Sequence, residues 1–108
     1  MTKVTIYKND LKECVGFRAY GHAGFDDKGQ DIVCAAISVL AINTMNAIEA
    51  FTDDEFRVTS DEEKGYIDYR ISCRPSKDTT LLLKTMILGL ESMATNYENY
   101  IDLIFEEV

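Results

Sequence analysis

The chain has 108 residues, 46% of them apolar, and a formal net charge of −8 at pH 7. That length holds one domain with its own core, taken as residues 1–108, and leaves no room for a second. Three cysteines without a CxxC pair argue against a disulfide framework or structural zinc, and the lack of a basic stripe argues against direct nucleic-acid binding.

Residues 3–8 alternate Val4 and Ile6 against Thr5 and Tyr7, which predicts a half-buried strand. Asn9-Asp10 turns into a second strand over about 12–21, with Val15, Phe17 and Ala19 on one face. A Gly-rich loop over 21–30 precedes a helix from about 31 to 51. Strands near 55–60 and 65–72 flank Asp61-Glu62-Glu63-Lys64-Gly65, a hairpin turn with Gly65 in the strained position. Ser76 or Asp78 caps a second helix running to about 97, with Leu82, Leu83, Met86, Leu90, Met93 and Tyr97 as its apolar stripe. A last strand, about 100–106, sets Ile101, Leu103 and Phe105 inward. The order β-β-α-β-β-α-β predicts an α+β, two-layer domain: a mainly antiparallel sheet with two helices packed on it.

The first helix is apolar nearly all round, since only Ser38 is polar between Ile32 and Ile42. Such a helix needs cover on more than one side, and a homodimer interface is the expectation for the side the sheet leaves open. A helix buried within one subunit is the alternative. The N-terminus lacks an apolar h-region, and no apolar run approaches the ~20 residues that span a bilayer. A cytoplasmic protein with no membrane partner is therefore expected. Its acidity would draw a basic protein or peptide.

The only histidine, His22, lies twelve positions before Cys34. Asp31 is a favoured N-cap type ahead of the apolar run, which predicts Cys34 in the first helical turn. There the free amides, that of Cys34 included, would hold an oxyanion formed when sulfur attacks a carbonyl. A helix field stabilises an anion by about 0.3–1 kcal/mol, too little alone to ionise a thiol at neutral pH. A second cation is required, and His22 is the histidine available, with Lys28 as a poorer fallback. Gly21, Gly24 and Gly29 make a loop able to close over an extended substrate. Ser38, one turn below Cys34, would support the sulfur's surroundings or bond back to the Cys34 carbonyl. Cys14 and Cys73, in strand-like segments, are assigned to packing. The plain alternatives, a buried apolar cysteine and a surface histidine, stay open on pattern alone. GHAGFDDKG lacks GxGxxG and GK[ST], and Asp26, Asp27 and Asp31 miss the EF-hand spacing, so no cofactor and no metal is expected.

GHAG, then Gly29-Gln30-Asp31-Ile32-Val33-Cys34-Ala35-Ala36, then Ser38, resembles the signature of the bacterial ribosomal-processing cysteine proteases, the Prp family. Outside that block the resemblance rests on strand pattern and on Leu88-Gly89-Leu90 and Tyr97-Glu98-Asn99-Tyr100. The resemblance implies a homodimeric endopeptidase that removes a short N-terminal extension from a large-subunit ribosomal protein precursor. It implies Cys34 and His22 as the catalytic pair, Asp31 at the helix start, Gly21, Gly24 and Gly29 in the loop, and an apolar groove beside Cys34 for an aromatic pair before the cut. Two other classes stand beside it: a non-catalytic ribosome-assembly adaptor that binds a basic ribosomal protein, and a thiol enzyme acting on thioesters.

Overall fold

The computed structural model describes the backbone of residues 1–21 and 28–108, and the side chains of all of these except 28–31. Five strands and two helices follow the expected order: β1 (Thr2–Lys8), β2 (Cys14–Tyr20), α1 (Lys28–Phe51), β3 (Phe56–Asp61), β4 (Tyr66–Ile71), α2 (Lys77–Asn96) and β5 (Ile101–Glu107). The strands form one sheet in the order β3-β4-β2-β1-β5. Only β1 and β5 run parallel; the other neighbours are antiparallel. The two-layer expectation holds.

Local chemistry accounts for the joints. The Asn9 side-chain oxygen accepts the Leu11 and Glu13 amides, each at 2.9 Å, and closes the first turn. Gly65 takes φ 61° in the β3–β4 hairpin, the left-handed region that favours glycine. Ser76 caps α2: its hydroxyl accepts the Thr79 amide at 3.2 Å, while its own amide donates to Asp54 at 2.8 Å. That hydrogen bond holds the Asp54 carboxyl below its usual range.

The core lies between the sheet and the helices. Val33, Ile37, Ala41 and Ile48 of α1 and Leu83, Met86 and Leu90 of α2 meet Val4, Ile6, Phe17 and Tyr69 of the sheet. Each large aliphatic residue fully buried there contributes about 1.5–3 kcal/mol. Gly89 lets the helices approach closely, since a Cβ at that position would stand 3.0 Å from Leu40 Cδ2. Tyr69 sits between the rings of Phe17 and Phe56, with centroids 5.4 and 5.1 Å away. Its buried hydroxyl has no partner among the described residues, and burial pushes its pKa up. Tyr69→Phe removes that unpaired group and is expected to raise stability by about 1 kcal/mol, measured by denaturant unfolding.

Several sequence expectations are corrected. β1 is buried on both faces: Thr5 and Tyr7 are covered as well as Val4 and Ile6. The cause is its central place in the sheet, together with the Arg70 guanidinium stacked 4.0 Å over the Tyr7 ring. A bulge in β2 pairs Tyr7 with Gly16 and Lys8 with Cys14, so Val15 has no opposite residue and Cys14 enters the core in its place. Tyr97 is exposed because it is the C-cap of α2 and leaves the helical stripe. Phe105 lies at the exposed end of β5 beside the Lys8 ammonium, 5.8 Å from the ring centroid. Finally, Ile32–Phe51 has a mean hydropathy of 1.7 and the length to cross a bilayer, contrary to the reading that no apolar run comes near it. In the fold, one face of that helix packs on the sheet as a core element.

Candidate active site

The three thiols occupy different surroundings. Cys14 is sealed in the core with its Sγ 3.4 Å from the Gly16 carbonyl, and burial pushes its thiol pKa up. Cys73 is exposed, which corrects its assignment to packing; it follows the end of β4, beyond the cover of the sheet. Cys34 is half-buried and lines a cavity of about 440 Å³.

That cavity lies between α1 and the β3–β4–β2 side of the sheet. Cys34, Ile37, Ser38, Ala41, Ile42 and Met45 form one wall, a stripe at the three-and-four spacing of a helix face. Val58, Ser60 and Ile67 from β3 and β4 face them, and Ala19, Gly21 and Thr2 close the end. Asp61 and Glu62 of the hairpin add negative charge to an otherwise mainly apolar lining. Gly21 is held tightly. Its φ is 149°, its amide donates to the Gly65 carbonyl at 3.3 Å, and a Cβ there would stand 2.7 Å from Thr2 Cα. A side chain at residue 21 would push β1 and β2 apart at the rim of the cavity.

His22 and Gly24 lie outside the described residues, although Gly21, the residue directly before His22, lines the cavity with Cys34. Gly29 and Asp31 belong to the backbone of α1. The helix starts at Lys28, so Asp31 is its fourth residue rather than its N-cap, and Cys34 falls in the second turn rather than the first. An aspartate suits a first helical turn as well as a cap, and one glycine costs a helix only about 1 kcal/mol, so the helix extends through Gly29. The Cys34 amide is consequently engaged within the helix, and the free amides among the described residues belong to residues 28–30. This overturns the expectation that the Cys34 amide holds an oxyanion. Ser38 lines the cavity one turn beyond Cys34, and its hydroxyl has no hydrogen-bond partner among the described residues, so the back-bond to Cys34 is not formed.

Sequence reading missed Thr2, Met45, Val58, Ser60 and Asp61 as cavity residues. Met45 was accessible in principle by continuing the Ile37–Ala41 stripe one more turn. The strand contributions needed the sheet order, which no local signal carries.

Comparison with known proteins bears on the family and the fold. The family model described as cysteine protease Prp matches residues 1–102. The ribosomal processing cysteine protease Prp of Bacillus subtilis (strain 168) is 29% identical over 103 residues, 92% of each chain. The crystal structure of the essential ribosomal processing protease Prp from S. aureus in complex with a substrate peptide superposes with a TM-score of 0.92 at 27% identity, covering 98% of this chain and 100% of that one. The S. aureus protease with a covalently linked product peptide gives a TM-score of 0.88 at 28% identity over the same shares. A thiol lining a mainly apolar cavity, in a fold shared along the whole chain with these proteases, and the family model's match over residues 1–102 place this protein in the family of ribosomal-processing cysteine proteases, Prp.

Proposed function

We propose that this cysteine protease removes the short N-terminal extension of a large-subunit ribosomal protein precursor, with Cys34 as nucleophile and His22 as general base. One observation carries the reading: of the three cysteines, Cys34 alone lines the mainly apolar cavity, and Gly21, which leads directly into His22, lines it too. His22 takes the thiol proton, and the Cys34 sulfur attacks the scissile carbonyl carbon. The C–N bond then breaks as His22 returns a proton to the leaving amine. Water, deprotonated by His22, resolves the thioester and releases the acid product. Ser38 supplies a hydroxyl one helical turn beyond the sulfur, and Gly21, clamped between Thr2 and Gly65, fixes where the chain leaves β2 toward His22. The mainly apolar lining suits a peptide with large apolar side chains before the cut. A net charge of −8 suits a basic ribosomal protein. Mass spectrometry of the precursor after incubation with wild-type, Cys34→Ala and His22→Ala protein tests the assignment; full cleavage by either variant rejects it.

A homodimer belongs to the same proposal. α1 and α2 leave a mainly apolar surface in contact with solvent, with Ile32 63%, Val39 69% and Leu88 69% exposed. An apolar hollow lined by Ala35, Ala36, Val39, Leu40 and Met93 runs between the helices. Exposed apolar area of this kind favours association with a second surface of like character. Sedimentation at low protein concentration is expected to give a dimer for the wild type and a monomer for Val39→Glu. A wild-type monomer would reject the interface.

A further inference from the structure

The outer edge of β3 is open, and its phase can be read from two hydrogen bonds. The Ser72 amide donates to the Glu55 carbonyl at 2.8 Å, so in the β3–β4 ladder Arg57, Thr59 and Asp61 bond to Arg70, Asp68 and Tyr66. The Gly21 amide on the Gly65 carbonyl gives the matching phase on the other side of β4. The N–H and C=O groups of Val58 and Ser60 therefore point out of the sheet, where β3 is the terminal strand. No backbone group among the described residues takes them. Natural sheets guard such edges with charge, proline or a bulge. β5, at the opposite edge, carries Asp102, Glu106 and Glu107, whereas β3 is charged only toward its ends, at Arg57 and Asp61, and leaves Val58-Thr59-Ser60 between them uncharged.

We propose that the polypeptide substrate adds to this edge as a further strand, a few residues away from the bond that is cut. The proposal rests on the reading of Cys34 as nucleophile. Two features favour the substrate as occupant. The edge is continuous with the cavity, because the side chains of Val58 and Ser60 line it together with Cys34. The edge also ends at Asp61 and Glu62, which have no salt-bridge partner among the described residues and so complement a basic chain. The distance is set by the sheet. Ser60, Ile67 and Ala19 are lateral neighbours, so Ser60 stands about 10 Å from the Ala19 end of the cavity, and an added strand stands about 5 Å farther out. Extended chain covers that separation in about four or five residues. Main-chain hydrogen bonds would supply affinity there with little dependence on side chain.

Synthetic peptides spanning the precursor cleavage site, each carrying a single backbone N-methyl group, test the proposal. Methylation at alternate residues in the segment about four or five positions from the cut is expected to lower kcat/KM by about tenfold, and methylation at the intervening residues by less than about twofold. Ser60→Pro removes an outward N–H while sparing the β4 ladder, and is expected to flatten that alternation. A scan without alternation, with Cys34→Ala inactive, overturns the edge proposal alone. Cleavage of the parent peptide by Cys34→Ala overturns the nucleophile reading and this proposal with it. A wild-type dimer that Ser60→Pro converts to monomer would assign the edge to a second copy of this chain and overturn substrate addition.

Discussion

Cys34→Ala is expected to lower cleavage of the precursor peptide by at least about 10⁴-fold while leaving the fold intact. The substitution deletes the only atom lining the cavity, among the described residues, that can form a thioester. It costs little in packing, because Cys34 is half-buried rather than locked in the core. His22→Ala is expected to cost about 10²–10⁴-fold, the range for loss of a positioned general base. Single-turnover kinetics with circular dichroism on the same samples separates chemistry from folding. Cys14→Ala supplies the contrast: its thiol is sealed among core side chains, so the variant loses stability and keeps its catalytic group.

Gly16→Ala carries the second large effect, and it acts on folding. Gly16 sits at the β2 bulge with φ 155°, and a Cβ there would fall 2.1 Å from the Tyr69 backbone carbonyl and 3.0 Å from Arg70 Cα. Neither neighbour is a flexible side-chain tip, so the β2–β4 pairing itself must open. A loss of more than about 3 kcal/mol is expected, seen as a large drop in the denaturant midpoint or as insoluble protein. A variant with wild-type stability would show that the two strands separate without penalty.

Much of this architecture was legible because local chemistry and tertiary packing agree. The Ser76 cap and the Gly65 turn use residue types that few other conformations favour, and both lie where the pattern puts them. Helix α1 ended as expected at Phe51 but began three residues before the expected cap. Asp31 satisfies a cap and a first turn alike, so its identity could not separate the two. The Tyr7 face of β1 was misread because its cover, Arg70, comes from a strand more than sixty residues later. The same limit governs the cavity. Its helical wall follows from a period of 3.6, whereas Val58 and Ser60 reach it only through the strand order. The thioester-directed and adaptor readings had no pattern to exclude them; membership of a cysteine protease family favours peptide-bond chemistry over both.

The parallel pairing of β1 with β5 has a consequence for synthesis. The first strand of the fold is flanked by β2 and by its last strand, and so keeps one side open until β5 has been made. Contacts separated by most of the chain form slowly, because a long loop must close before they are rewarded. A ribosome-bound nascent chain that has not yet exposed β5 thus cannot complete its sheet. The sheet closes only when β5 joins β1, so the strand that begins the fold is held on its second side by the strand that completes it.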